Sequence, residues 1–427
     1  MSAVMNAMRE LNVFIAEKNI KVSKVKSQLK DFFHVFSRLT DYRYKPFTKY
    51  RLENLVGICF VMALMGKFVS FYNVEQYVKL KPTLFIKLGL VEKDRYPSND
   101  TYSRLFSHLD NTEFANEVID RIKRFYDRVE KYRKPTGRRM ISGDGQAVRG
   151  TGRTKEDEKA EKSINILNLY DVSKGIVLCS RPVADKTNEI PVFQSLLKAF
   201  SIKDAIVTAD ALHCQTKTAE TIIAKKGDYC FAVKENQKSL SEVIARIFDV
   251  RKADSEFSYS NRDYRIIRLK DGEITPEWAG AKSIVRMISH KREARDGRPG
   301  EEMTFITSLT DYDEIAETIE MRWEIENGLH RFKDIQLNQD RIRVRDRRAL
   351  QNMATMNNIV YSLYRIAASV LDVTPQQAKI IYEDNPMGML KEICPLMIKQ
   401  NFTMLVKKNM RGTKESKSRL KYRWSMT

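Results

Sequence analysis

The stretch from Arg138 to Val233 constrains the fold more than any other part of the chain. Arg138–Gly143 (RRMISG) reads as an entering strand. Ile164–Tyr170 (INILNLY) and Ile176–Cys179 (IVLC) supply two more, joined by the hairpin-like Asp171-Val-Ser-Lys-Gly175. The pattern then changes. Glu189–Phe200 has helical spacing, Ala205–Thr208 reads as a short buried strand, Thr216–Lys225 as a helix and Tyr229–Val233 as a further strand. Hairpin strands followed by alternating helix and strand predict an α+β or α/β fold, a mixed sheet covered by helices.

The flanks differ in texture. Residues 1–135 are predicted to be a mostly helical domain. Phe32, Phe33, Phe36 and Leu39, then Leu52, Leu55, Val56, Cys59 and Met62, recur at helical spacing, and Pro46, Pro82 and Pro97 punctuate them. Ser98 or Asn99 suits the N-cap of a helix carrying Tyr102, Leu105 and Phe106. After a helix near Leu240–Phe248, residues 241–305 break into short β-like pieces at 257–259, 264–269, 283–287 and, just beyond, 304–308. Gly272, Pro276 and Gly297–Gly300 supply turns. Helical periodicity returns over Ile315–Lys333, as one helix or a closely joined pair, and over Ala349–Leu371. The expected organisation is a helical domain (1–135), a mixed core (136–240 and 306–375), a β-rich insertion (241–305) and a basic segment (376–427).

Charge narrows the partners. Lys and Arg number 75 against 55 Asp and Glu, a net +20. Such an excess repels itself unless a polyanion shares the field, which favours nucleic acid over an anionic membrane surface. The Lys18–Lys30 run and the basic stretch Lys407–Arg423 are each either solvated or phosphate-contacting. Five scattered cysteines, with no CxxC pair, suggest neither a disulfide framework nor a zinc ribbon and fit a reducing compartment. No signal peptide opens the chain. The most apolar stretch, Leu55–Leu64, is too short to span a bilayer and reads as a buried helix.

Three acids stand out. Asp144 ends the first strand between two glycines, either an uncrowded ligand carboxylate or part of a common Asp-Gly turn. Asp210 follows the apolar Ala205–Ala209 run, where open sheets bind ligands at strand carboxyl ends; a helix N-cap is the competing role. Glu326 lies in Met321–Lys333. At about 100° per residue it shares a stripe with Arg322 and Lys333 while Glu324 points away, unless the stripe is an ordinary surface ladder. His213 and His330 lack a nucleophile context, and His213-Cys214 lacks a second ligand pair.

Together these segments resemble the ISAs1-type insertion-sequence transposases, including the H-repeat-associated proteins, of the wider DDE group. The resemblance runs from about residue 40 to 370. It rests on Ser142–Gly150, Asp185–Pro191, Ala205–Ala211 with Cys214-Gln215, Gly227–Gln237 and Arg322–His330, in that order. It implies an RNase H-like core in which Asp144, Asp210 and Glu326 hold Mg²⁺ or Mn²⁺, two ions in all. Arg149, Lys234, Arg322 and Lys333 are then expected on phosphates. Trp278 is either a base-stacking residue or a plain core tryptophan. Ile319, Gln146 and Asn165 depart from the pattern, standing where tyrosine, lysine and histidine are usual. The implied function is cleavage of double-stranded DNA at the element's ends and joining of the freed 3′-hydroxyl to target DNA. A homodimer would act, in the bacterial cytoplasm at the nucleoid and without a membrane. A DNA-binding protein that no longer cuts, and a nuclease without strand transfer, are the alternatives.

Overall fold

The computed structural model describes residues 33–117, 138–152, 162–183, 189–274, 278–290, 300–371 and 373–392. The Lys18–Lys30 run, Lys407–Arg423, Asp185–Asn188, Pro276, Gly297–Pro299 and Cys394 lie outside the described residues. The chain divides into two compact units, one of Met1–Lys134 with Ser362–Thr427, the other Pro135–Tyr361.

The first unit is helical: α1 (Leu52–Leu64), α2 (Phe71–Leu80), α3 (Pro82–Lys87) and α4 (Asn99–His108). Every residue of α1 from Leu55 to Leu64 is buried, and Phe60 packs against Phe33 and Phe36. The cap of α4 is a tertiary one. Ser98 occupies the N-cap position without a side-chain hydrogen bond, and the Asn99 N–H instead donates to Glu75 Oε2 of α2 at 2.8 Å. Lys79 donates to the other Glu75 oxygen at 2.6 Å and, with the Asn99 backbone, holds this buried carboxyl below its usual pKa. No described helix is long and apolar enough to cross a membrane.

The second unit is built on a nine-stranded sheet: β1 (Arg139–Val148), β2 (Ile164–Asp171), β3 (Ile176–Val183), β4 (Ala205–Ala209), β5 (Asp228–Val233), β6 (Ser255–Ser258), β7 (Arg262–Arg268), β8 (Ser283–Ser289) and β9 (Glu301–Thr307). Their spatial order is β3-β2-β1-β4-β5-β9-β8-β7-β6. Strands β1, β4 and β5 run parallel, while the hairpins on either side are antiparallel. The insertion strands therefore extend the central sheet, with β9 hydrogen-bonded to both β5 and β8.

Alternation along each strand sorts apolar side chains onto two faces. Val207, Tyr229, Phe231, Ile267, Ile284 and Ile306 face one core. It is roofed by α5 (Glu189–Ala199), α6 (Thr216–Ala224) and α7 (Lys238–Val250). Cys230, Ala232, Tyr264, Ile266, Val285 and Phe305 face the other, under α8 (Tyr312–Met321). Lys225, just past α6, donates to the carbonyls of Leu197, Lys198 and Phe200, satisfying orphan acceptors at the end of α5.

Two glycines let α5 press onto β1. A Cβ on Gly143 would stand 2.1 Å from the Phe193 ring, and one on Gly145 would stand 2.7 Å from a Glu189 carboxylate oxygen. The glycines flanking Asp144 thus admit a helix rather than leaving space free. Gly143→Ala should destabilise the chain by about 1–3 kcal/mol, the usual cost of overpacking. In Phe193→Ala chains the same substitution should cost much less. Denaturant titration of the four variants checks this, and an additive double variant would contradict it.

Candidate active site

Asp144 and Asp210 are neighbours because β1 and β4 are parallel partners. Gly143 pairs with Ala209, so the next residue of each strand, Asp144 and Asp210, stand side by side at a strand spacing of about 4.8 Å. Both rise from the carboxyl-terminal half of the parallel sheet, where such sheets present ligand sites. Asp210 is the N-cap residue of the short turn Ala211–His213 yet makes no side-chain cap bond, and its side chain is 44% exposed. Lys234 follows β5, with its Nζ 3.8 Å from Asp210 Oδ1.

Glu326 arrives on a third element. Between α8 and α9 (Arg331–Gln336), Ile325–His330 forms a π-helical turn, and Glu326 is exposed on it. Its charge reaches Asp144. Burial pushes the Asp144 carboxyl up to about 7, and Glu326, Asp210 and Glu189 add to the rise against a lowering hydrogen bond from the Gly145 N–H. Several carboxylates are thus close enough to repel one another. Among the described residues no three His, Cys, Asp or Glu side chains are gathered tightly enough to hold an ion.

The π turn also breaks the expected stripe. It closes hydrogen bonds over five residues instead of four and so carries an extra residue per turn, rotating everything beyond it. Lys333 is fully buried, and its Nζ donates to Asn168 Oδ1 (3.2 Å) and Asn358 Oδ1 (3.1 Å). Arg322 is 5% exposed and stacks on Trp323 at 4.2 Å, sharing that ring with Arg262 at 4.2 Å. Neither Lys333 nor Arg322 has a surface from which to meet a phosphate, contrary to expectation. Trp278 is also buried, in the core that holds Phe248 and Ile284. Arg149 is 80% exposed, 3.5 Å from Asp340.

The three departures from the expected pattern point inward. The Gln146 amide donates to Asp334 at 2.7 Å and its carbonyl accepts from Gln339 at 2.9 Å. Asn165 donates to Glu189 at 3.3 Å, and Ile319 lies in the core under α8.

Beneath the acids runs a buried polar chain. The Asn168 amide nitrogen donates to the Ile166 carbonyl at 3.2 Å, so its oxygen is the atom that faces Lys333. The Asn168 amide nitrogen then faces His330 Nε2 at 3.2 Å, making that ring nitrogen an acceptor. The His330 proton is therefore on Nδ1, 3.5 Å from Asp144 Oδ2. Burial, followed by Lys333, drives the His330 pKa down and keeps the ring neutral. Ser180 and Asn358 close the chain. The sequence carried signs of two members of this surround: His330 ends the Arg322–His330 segment, and Glu189 lies in Asp185–Pro191. Glu189 is 5% exposed, and His213 Nε2 is 4.0 Å from its carboxylate. His213 itself packs on Phe193 and is held down to about 4 by burial, so it too is neutral.

Comparison with known proteins gives the family. Residues 135–363 match the family model of the transposase DDE domain, and residues 33–120 match the DDE_Tnp_1-associated model. The candidate transposase YncI of Escherichia coli O157:H7 is 26% identical over 348 residues, covering 77% of this chain and 86% of YncI. The H repeat-associated candidate transposase YhhI of Escherichia coli (strain K12) is 23% identical over 354 residues, 79% of this chain and 90% of YhhI. Likeness to a cryo-EM structure of piggyBac transposase synaptic complex with hairpin DNA is slight, at a TM-score of 0.44 and 12% identity over 90% of this chain and 82% of that one, and adds nothing to the assignment.

The buried lysine supplies a pH test. Burial lowers Lys333 from the ordinary 10.5 to about 7. Between those values the unfolded chain holds a proton that the folded chain has lost, so this group makes stability rise with pH through that window and leaves it flat below about 7. Lys333→Met should remove a slope of up to about 1.4 kcal/mol per pH unit. Urea titrations of both chains at two pH values within the window measure it; an unchanged slope in the variant would contradict the assignment.

Proposed function

This chain belongs to the transposase DDE family, in its H-repeat branch, and from that premise we propose that it cuts DNA at the ends of a mobile element and joins them to a target. The observation that carries the reading is the pairing of Asp144 with Asp210 on adjacent parallel strands, with Glu326 near enough to raise the Asp144 pKa. The order β3-β2-β1-β4-β5, with β1, β4 and β5 parallel, supports an RNase H-like core for the first five strands.

The acids suit a divalent cation. They are hard oxygen donors, and the repulsion from Glu326 and Asp210 that adds to burial in raising the Asp144 pKa is what bound positive charge would relieve. Asp144, Asp210 and Glu326 would hold Mg²⁺ or Mn²⁺. When bound, a pair of such ions supplies activation of the attacking oxygen and stabilisation of the leaving one. The chain's own residues do the rest. His330, its tautomer set through Asn168 and Lys333, orients the Asp144 carboxylate. Lys234, 59% exposed beside Asp210, holds a phosphate at the reacting centre, and Arg149 holds one farther along the strand.

Two in-line displacements follow. Water attacks phosphorus at the element's end, the P–O3′ bond breaks, and a 3′-hydroxyl is freed. That hydroxyl attacks a target phosphorus, forming the joined strand and releasing a target 3′-hydroxyl. Positioning supplies most of the acceleration. Both ends must be handled together, so a homodimer is the working form. A silent DNA-binding protein is less well supported, because all three acids are present and Gln146, Asn165 and Ile319 each make contacts within the unit.

Asp144→Ala, Asp210→Ala and Glu326→Ala should each lower Mg²⁺-dependent cleavage of end-labelled element DNA by about two to three orders of magnitude or more. DNA binding should persist. Cleavage retained in any of the three would overturn the triad, and cleavage without joined product would make the enzyme a nuclease.

A further inference from the structure

The helical unit carries a surface that the cleavage site does not use. From Tyr42 to Arg51 the sequence interleaves aromatic and basic residues, as YRYKPFTKYR. A short 3₁₀ turn, Lys45–Phe47, sits within it, with Pro46 in its first positions. The Phe47 N–H donates to the Tyr44 carbonyl at 3.1 Å, and the Thr48 N–H donates to the Lys45 carbonyl at 3.0 Å. Thr48 Oγ1 donates to the Tyr44 carbonyl as well, at 3.1 Å. With proline fixing one φ, the turn keeps its shape through the backbone and needs no buried side chain.

The side chains are accordingly free, and they are the wrong kind for open water. Phe47 is 86% exposed and Tyr44 70%. Their ring centroids lie 5.5 Å apart with the planes tilted by 47°, so the two rings stand in contact side by side. Lys45 and Lys49 are exposed on the same short segment. The nearby acids are already engaged: Asp41 accepts two hydrogen bonds from the Arg43 guanidinium, at 2.8 and 2.7 Å, and Glu53 pairs with Arg51 at 2.5 Å. Lys45 acts on Asp41 only through space and Lys49 lies 5.6 Å from the Tyr50 ring centroid, so among the described residues neither lysine has a carboxylate within ion-pair distance.

An aromatic pair bordered by exposed lysines matches one chemistry well. Bases offer flat faces for stacking, and phosphates at intervals offer charge. A paired duplex hides its base faces, so the fitting ligand is a strand with unpaired nucleotides. An apolar protein segment would use the rings and leave the lysines unanswered. We propose that the Tyr44–Lys49 turn docks unpaired nucleotides of a DNA strand. Bases stack on Tyr44 and Phe47, and Lys45 and Lys49 hold the adjoining phosphates. The inference rests on the DNA-processing role above and gives the helical unit a part in it: holding frayed or displaced strand at an element's end.

Fluorescence anisotropy with the full chain tests this, using a labelled short oligo(dT) strand and a labelled duplex of mixed sequence. The Tyr44→Ala/Phe47→Ala chain should lose about ten-fold or more in affinity for oligo(dT), and much less for the duplex. The Lys45→Gln/Lys49→Gln chain should show a log–log salt slope for oligo(dT) that is shallower by about 1.4, two phosphates at about 0.7 each. Both variants should melt with the wild type, because the altered side chains are solvated. Unchanged oligo(dT) affinity in the aromatic variant, with wild-type binding intact, would overturn this inference alone. So would a wild-type self-association that the variant abolishes while oligo(dT) binding stays, because the rings would then face a second copy of the chain. A wild-type chain that binds neither probe would overturn both this inference and the DNA-processing role.

Discussion

Like charges placed side by side are costly, and this site is arranged around such a cost. Parallel pairing of β1 with β4 seats two aspartates next to each other, and the π turn brings a glutamate within electrostatic reach. A fold selected for stability alone would have little reason to keep that arrangement. The rest of the unit can be understood as its support. The glycines either side of Asp144 let α5 close over β1 from the opposite face. The buried chain from Lys333 through Asn168 to His330 fixes which atom faces the Asp144 carboxylate.

That chain explains why a lysine can be fully buried here. A buried ammonium is tolerated only when its donors are matched and its charge is partly given up. Lys333 does both: two amide oxygens receive its hydrogens, and burial brings its pKa to about 7. Gln146 belongs to a second such chain through Asp334 and Gln339. Of the groups at the candidate site, the buried chain approaches Asp144, through His330 Nδ1 at 3.5 Å.

Much of this was legible in the sequence, for local reasons. The hairpin spacing of Ile164–Cys179 and the alternation after Glu189 announced a mixed sheet, and the apolar run before Asp210 marked a buried strand ending at an acid. What escaped was non-local or depended on a break in periodicity. The pairing of β9 with β5, which joins the insertion to the central sheet, brings together Phe231 and Ile306, far apart in sequence. Glu75 caps α4 in place of Ser98, because a charged acceptor from a packed neighbour satisfies the Asn99 N–H. Helical arithmetic put Arg322, Glu326 and Lys333 on one stripe, but Glu326 is exposed while the other two are buried, and a π turn intervenes before Lys333. Nothing in the spacing of apolar residues announces a π turn, so the position of Lys333 beyond it could not be read in advance.

The central claim is that Asp144, Asp210 and Glu326 together form a divalent-cation site. Crystals of the full chain soaked in Mn²⁺ test it directly through anomalous scattering at the manganese edge. The account predicts anomalous density between the Asp144 and Asp210 carboxylates, with Glu326 drawn toward it, and loss of that density in Asp210→Asn crystals. Well-diffracting crystals with no anomalous peak at these carboxylates, or a peak that survives Asp210→Asn unchanged, would contradict it.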